Sequence, residues 1–183
     1  SHENEISSVL SQGCWTTVER SSIGGESEWN ATVLNPDGSE FRVTFEDKKE
    51  ALINWNLMGL HNVSNALSAI AAARNVGVSV ADSSAALNRF ENVKRRMEVI
   101  YQKNGVTVYD DFAHHPTAIK TTLDGKRAAL NENANNEKTK GERLIAVIEA
   151  RSNTMKMGYH QNTLAESLGG ADKVYWYKNE ATK

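Results

Sequence analysis

Apolar and polar residues alternate in short runs over the first third of the chain, which is typical of strands with one buried face. Strands are predicted at residues 14–18, 29–34 and 41–45, because these runs are rich in aromatic or β-branched residues. Residues 35–38, with the sequence NPDG, form a strong turn signal between the last two strands. The pattern therefore predicts a β-meander that contains a tight hairpin.

Three tryptophans fall in or near this meander. We expect Trp15, Trp29 and Trp55 to cover one face of it as core, since large aromatic side chains usually supply buried area. A further strand is predicted at residues 52–57, and residues 21–25 are expected to form a loop.

The pattern then changes to a helical spacing. Val63, Leu67 and Ile70 recur at helical intervals within residues 61–74, which predicts an amphipathic helix, and Gly77 is its expected C-cap. A shorter helix is predicted to start with an Asp82 cap and to run to residue 90.

Strands and helices alternate after that point. A strand is predicted at residues 105–109, a helix from Pro116, and a parallel strand buried on both faces at residues 143–148. We place a domain boundary near residue 91, which divides the chain into residues 1–91 and 92–183. The predicted fold class is α/β.

Charge and cysteine content exclude several classes of function. The formal net charge of -2 over 183 residues suggests no general affinity for nucleic acid or anionic membranes. The single cysteine excludes an internal disulfide framework, and no zinc-type spacing occurs. A reducing, cytoplasmic setting is therefore the default expectation, and no metal site is predicted. No leader or membrane span is recognisable in the sequence.

Candidate chemistry lies at residues 110–115, DDFAHH, directly after a predicted strand. Ligands of open α/β sheets bind at the carboxyl ends of strands, so this cluster is a site candidate. The alternative is that these side chains only cap a helix or satisfy a turn. Arg151, Asn153 and Thr154 follow the strand at residues 143–148 and are expected at the same edge of the sheet.

A second candidate lies at the start of the long helix, where His61, Asn62 and Asn65 cluster. The two asparagines share a face, and an amide offers the donor and acceptor that a nucleobase edge requires. Plain N-capping is the alternative. Arg95 and Arg96 precede a predicted strand and could bind phosphate or a ribose hydroxyl, although such a cluster is usually a solvated surface.

Three motifs in this order resemble the Mur ligase family of ATP-dependent amide ligases: GLHNVSNAL at residues 59–67, RRME at 95–98 and DDFAHHPTAI at 110–119. The segment EARSNTMK at residues 149–156 resembles the branch that joins UDP-N-acetylmuramate to the tripeptide L-Ala-γ-D-Glu-meso-diaminopimelate in peptidoglycan recycling. The resemblance implies that residues 1–91 end a central ATP-binding domain. Residues 92–183 would then begin a Rossmann-like C-terminal domain, here truncated.

The resemblance also implies roles for single residues. The asparagines would contact adenine with the neighbouring histidine beside them, and the arginine and aspartate would hold ribose and phosphate. The implied nucleotide-binding residues are His61, Asn62, Asn65, Arg96, Asp111 and His114. The implied peptide-binding residues are Arg151, Ser152 and Asn153, and Ala150 stands where the family pattern leads us to expect proline. No catalytic residue is assigned in this chain.

The implied reaction uses ATP and Mg²⁺ to activate the lactyl carboxylate as an acyl phosphate, which the peptide amine then attacks. No phosphate-binding loop of the type GxxxxGK[ST] occurs in these residues, so we expect the chain to be inactive alone. Three alternatives stay open: the family branch that adds L-alanine, a metal-dependent hydrolase using the 110–115 cluster, and a non-catalytic nucleotide-binding module.

Overall fold

The computed structural model describes residues 4–132, 141–149, 155, 157 and 161–177. These residues form the expected mixed α/β architecture, and none of their helices has the length and apolar character needed to cross a bilayer. The elements are α1 (Asn4–Ser11), β1 (Ser21–Ile23), β2 (Trp29–Val33), β3 (Glu40–Phe45), β4 (Lys48–Asn54), α2 (Leu60–Asn75), α3 (Val80–Leu87), β5 (Glu98–Lys103), β6 (Val106–Asp110), α4 (Pro116–Glu132), β7 (Ile145–Glu149), α5 (Gln161–Ser167) and β8 (Lys173–Tyr177).

The first four strands form one sheet in the order β1-β2-β3-β4. β2, β3 and β4 are antiparallel, as the meander prediction requires, although β4 begins and ends earlier than the predicted strand. The predicted turn closes the β2–β3 hairpin, where Gly38 N donates to Asn35 O at 2.8 Å. Gly38 has a φ of +81°, a conformation that favours glycine.

The inner face of this sheet and one face of α2 form the larger core. Along β3 the buried positions alternate with partly exposed ones, and α2 contributes the predicted stripe of Val63, Leu67 and Ile70. Phe41 and Ile53 on the sheet are fully buried beneath that stripe. Burial of this apolar area against the sheet holds α2 in place.

The prediction for the tryptophans is correct for two of them and wrong for the third. Trp29 and Trp55 are buried, whereas Trp15 is 95% exposed. No strand forms at residues 14–18. Instead Ser21–Ile23, predicted to be a loop, adds to the sheet in parallel with β2, with Gly24 N donating to Ala31 O at 2.9 Å. An available sheet edge therefore decided which segment became the strand.

Both capping predictions are wrong in detail. The C-cap of α2 is Val76, and Gly77 follows it with a φ of +91°, which is where left-handed glycine normally ends a helix. The N-cap of α3 is Ser79 rather than Asp82, because the Ser79 hydroxyl accepts from Asp82 N at 3.0 Å. The helix also ends earlier than predicted, at Leu87.

The second half of the described chain contains two separate two-stranded sheets. β5 and β6 form an antiparallel hairpin, and Asn104 and Gly105 at its turn have φ values of +54° and +73°. β7 and β8 pair in parallel. Ile119 and Leu123 on α4 pack with Ala146 on β7 in the smaller core.

The expected burial of β7 on both faces is wrong for the described residues. Val147 at its centre is 75% exposed, and only Ala146 is buried on this strand. The reason is that β7 pairs along one edge, with β8, and packs against helices on one face. Val106 and Val108 on β6 are likewise 55% and 40% exposed. The alternation of apolar residues therefore predicted the strand correctly, but these residues do not form a buried face.

Candidate functional site

A cavity of about 490 Å³ lies between the start of α2 and the turn that precedes β5. Such a volume falls within the range of about 300–1,000 Å³ that small-molecule sites occupy. Five of the predicted nucleotide-binding residues line this cavity: His61, Asn62, Asn65, Arg96 and Asp111. The fold thus brings together residues of three motifs that are separated along the chain.

The backbone of Gly59 shapes the α2 side of the cavity. Gly59 is the N-cap of α2 with a φ of +94°, and no side chain caps the helix. A Cβ at this position would lie 2.6 Å from the ring of His61, and Gly59 N donates to Asp37 O at 2.6 Å. Glycine is required here both by its backbone conformation and by the closeness of the histidine.

His61 is partly buried at the cavity wall. Its Nδ1 is buried and has no hydrogen-bond partner among the described residues. Burial lowers the pKa of His61; the nearby Asp111 carboxylate raises it, and the Arg96 guanidinium lowers it. The imidazole is therefore neutral near pH 7.

This lowered pKa predicts a pH-dependent stability. The contribution of His61 to the free energy of unfolding should be constant above pH ~6.5 and should fall below it, because the unfolded chain binds a proton that folded His61 resists. The loss should stop once the pH passes below the folded pKa. The His61→Gln variant should lack this component in urea unfolding measured from pH ~7.5 to ~5.5. An NMR titration midpoint for His61 at or above ~6.5 would contradict the prediction.

The two asparagines have different contacts. The Asn62 side-chain amide donates to Met58 O at 2.7 Å and so holds the segment before α2. Asn65 is exposed, and its amide has no hydrogen-bond partner among the described residues. Neither residue is the N-cap of α2, so capping does not explain the pair. Asn65 is the asparagine whose amide donor and acceptor are both available at the cavity.

The turn before β5 holds Arg96 between two left-handed residues. Arg95 and Met97 have φ values of +60° and +52°, which are uncommon outside glycine. Asp111 fixes this turn, since its Oδ2 accepts from Met97 N at 2.9 Å and its Oδ1 accepts from Ala113 N at 2.8 Å. Arg96 borders the cavity, and no partner for its guanidinium is recorded in the described ranges.

The neighbouring aspartate faces another partner. Asp110 accepts from Arg95 Nε at 3.1 Å in a partly exposed ion pair. The Arg95 guanidinium also lies 5.3 Å from the centre of the Phe112 ring. Asp110 and Arg95 therefore brace the outer side of the turn, whereas Asp111 and Arg96 face the cavity.

The two histidines of the DDFAHH motif lie at the start of α4. His114 Nδ1 is 2.9 Å from Phe112 O, and its ring packs edge-on against the Phe112 ring. His115 Nδ1 accepts from Thr117 N at 3.3 Å, and Pro116 is the first residue of α4, as predicted. His114 is not among the residues that line the cavity, so it stands apart from the other five predicted residues.

These contacts bear on the hydrolase alternative. Each of these four side chains has its own hydrogen-bond partner: Arg95 for Asp110, Met97 N and Ala113 N for Asp111, Phe112 O for His114 and Thr117 N for His115. Within the described ranges, no group of three or more His, Cys, Asp or Glu side chains is placed to hold a metal ion. These hydrogen bonds join the cluster to backbone groups and to Arg95.

Several cavity residues were not predicted from the sequence. They are apolar or small side chains from four separate segments: Leu57, Leu87, Phe90, Met97 and Thr122. Helical periodicity in the sequence does not show which apolar residues near the end of a helix stay exposed and line a cavity. Phe90, just beyond α3, is such a residue, with 45% of its surface exposed. The predicted peptide-binding residues Arg151, Ser152 and Asn153 lie outside the described residues.

Comparison with known proteins identifies the family. Residues 95–183 match the Mur ligase, glutamate ligase domain. Across 94% of its length, the chain is 47% identical to the UDP-N-acetylmuramate–L-alanyl-γ-D-glutamyl-meso-2,6-diaminoheptandioate ligase of Escherichia coli strain K12 and covers 36% of that protein. The chain belongs to the Mur ligase family.

Two further Mur ligases support this assignment. The ligase of the same name from Haemophilus influenzae strain Rd is 44% identical over 97% of this chain, which covers 37% of that protein. The crystal structure of a murein peptide ligase from Psychrobacter arcticus 273-4 is 48% identical with a TM-score of 0.66, over 100% of this chain and 37% of that one. The Mur ligase chain described here thus spans little more than a third of these relatives.

Proposed function

We propose that this Mur ligase chain is part of a cytoplasmic, ATP-dependent enzyme that joins UDP-N-acetylmuramate to L-Ala-γ-D-Glu-meso-diaminopimelate in peptidoglycan recycling. The observation that carries the proposal is 47% and 44% identity, over nearly the whole chain, to two ligases whose names state these substrates. In the implied chemistry the muramate carboxylate is activated as an acyl phosphate and then attacked by the peptide amine.

The domain plan is part of the same proposal. Residues 1–91 would end the central ATP-binding domain, and residues 92–183 would begin the C-terminal domain. Two observations support it: the family match begins at residue 95, and the two hydrophobic cores draw on different parts of the chain. The cavity is lined from both parts, as a nucleotide site between two domains requires.

The residues at the cavity fit an adenine nucleotide. Leu57, Leu87 and Phe90 supply apolar surface for a base, and the available amide of Asn65 could hydrogen-bond its edge. The guanidinium of Arg96 suits ribose or phosphate oxygens. ATP with Mg²⁺ would supply the phosphoryl group that activates the carboxylate. The residues of this chain would bind and orient the nucleotide.

The proposed peptide-binding segment follows β7 in the sequence. Arg151, Ser152 and Asn153 come directly after the carboxyl end of that strand in the sequence, which is the usual position for ligand contacts in α/β folds. An arginine can hold a peptide carboxylate through two parallel hydrogen bonds. We therefore propose Arg151 as the main anchor for the tripeptide.

ADP formation by the full-length gene product tests the proposed reaction. With UDP-N-acetylmuramate and MgATP, we expect turnover with the tripeptide and none with L-alanine. Chelation of Mg²⁺ should abolish turnover with the tripeptide, because the metal neutralises charge on the transferred phosphoryl group. Reactions that lack the sugar nucleotide give the background.

Turnover with L-alanine alone would move the protein to the branch that adds this amino acid. Nucleotide binding without any turnover would favour the non-catalytic module. If the reaction runs as expected, Arg151→Ala should raise the KM for the tripeptide and leave the KM for ATP unchanged.

A further inference from the structure

Gly125 occupies an unexpected position inside α4. It lies within the helix bounded by Pro116–Glu132, where glycine is less favourable than alanine. The position is buried. A buried glycine in the middle of a helix indicates that another part of the protein approaches too closely for a side chain.

The neighbour of Gly125 is the N-terminus of α2. A Cβ on Gly125 would lie 2.8 Å from Gly59 Cα, 3.0 Å from Gly59 N and 3.5 Å from Met58 C. All three are backbone atoms, so no side chain can rotate away to make room. One turn earlier on α4, Thr121 O lies 3.6 Å from the place where a Cβ of Gly59 would be. The two helices therefore meet backbone to backbone.

Gly59 cannot move aside easily. Its amide is hydrogen-bonded to Asp37 O in the β2–β3 hairpin, and its other side is close to the ring of His61. Any side chain added at Gly125 must therefore displace α4, because the start of α2 is held by the larger core.

The same two helices border the cavity. His61 and Asn62 line it from α2, and Thr122 lines it from α4 beside Asp111. The distance between α2 and α4 therefore sets the separation of these two walls. We propose that the contact between Gly125 and Gly59 positions the second half of the chain against the first and sets the width of the cavity. Its effect on nucleotide binding rests on the proposed function.

The test uses Gly125→Ala and Gly125→Val in the full-length gene product. Nitroxide labels at Ala72→Cys on α2 and Lys120→Cys on α4 would report the helix separation by pulsed electron resonance, with the native cysteines replaced by serine. Both label positions are exposed. We expect a longer and broader distance distribution for alanine and a larger change for valine. The thermal midpoint should fall in both variants, more for valine, because the clash with backbone outweighs the better helix propensity of alanine.

Nucleotide affinity is the second measurement. The Kd for MgADP should rise by about tenfold in Gly125→Ala, which corresponds to the loss of about one hydrogen bond when the α4 wall of the cavity moves away from α2. Gly169→Ala is the matched control, because a Cβ there would meet its nearest neighbour at an ordinary 3.5 Å. It should change neither measurement.

Each outcome separates the two proposals. An unchanged helix distance in both Gly125 variants would overturn the positioning role. A changed distance with unchanged affinity would overturn the claim that the contact sets the width of the nucleotide cavity. If the unsubstituted protein binds no adenine nucleotide, the proposed function fails, while the distance measurement still tests the contact itself.

Discussion

Replacing Asp111 with alanine is expected to lower kcat/KM for ATP by on the order of 100-fold in the full-length enzyme. The carboxylate accepts from Met97 N and Ala113 N, and both amides lose their acceptor in the variant. The left-handed turn that presents Arg96 is then no longer held. Steady-state kinetics at varied ATP, together with a thermal melt, measures the effect. Asp111→Asn keeps one acceptor oxygen, so its kcat/KM for ATP should lie between that of the unsubstituted enzyme and that of Asp111→Ala.

The control is the adjacent residue. Asp110→Ala removes only a partly exposed ion pair with Arg95, whose side chain is 48% exposed. Such pairs contribute about 0–1 kcal/mol, so kcat/KM should change by no more than a few fold. Equal losses in Asp110→Ala and Asp111→Ala would show that the carboxylates are equivalent and would refute the role given to Asp111.

Replacing Arg96 with alanine is expected to raise the KM for ATP by roughly 10-fold to 100-fold, because a hydrogen bond to a charged group contributes about 1.5–3 kcal/mol. Arg96 lines the cavity, and its guanidinium makes no hydrogen bond or ion pair with the residues that the structure describes, so loss of this side chain should affect binding more than folding. Arg96→Lys should recover part of the affinity, since lysine keeps the charge but lacks the planar two-point geometry.

Lys94→Ala is the matched control for charge. Lys94 is exposed in the same basic cluster and does not line the cavity. Its loss should leave the KM for ATP unchanged. An equal rise in KM for Lys94→Ala would mean that the cluster acts through its overall charge, and a fall in kcat without a change in KM would place Arg96 at the chemical step.

Local patterns were reliable where neighbouring residues decide the structure. The helical spacing of Val63, Leu67 and Ile70 predicted α2, and the NPDG turn predicted the β2–β3 hairpin. Both depend on interactions within a few residues, which periodicity and turn chemistry describe directly. The same patterns failed at Trp15, because an alternating run becomes a strand only when another strand is available to pair with it.

Pairs of similar residues show most clearly what local sequence patterns cannot predict. Asn62 and Asn65 look equivalent in the sequence, yet one amide holds Met58 O and the other has no recorded partner in the described chain. Asp110 and Asp111 likewise have different partners, a guanidinium for one and two backbone amides for the other. These roles depend on contacts with other segments, which a local pattern does not contain.

The sequence by itself determined the family, most helices and strands, and the residue types that meet at the candidate site. It could do so because motifs and periodicity are properties of short segments. Only the tertiary structure decided which asparagine, aspartate and arginine face the cavity, and why a glycine lies in the middle of α4. The physical reason is that the cavity exists only where α2, the turn before β5 and α4 meet, and their separation depends on backbone contacts such as the one between Gly59 and Gly125.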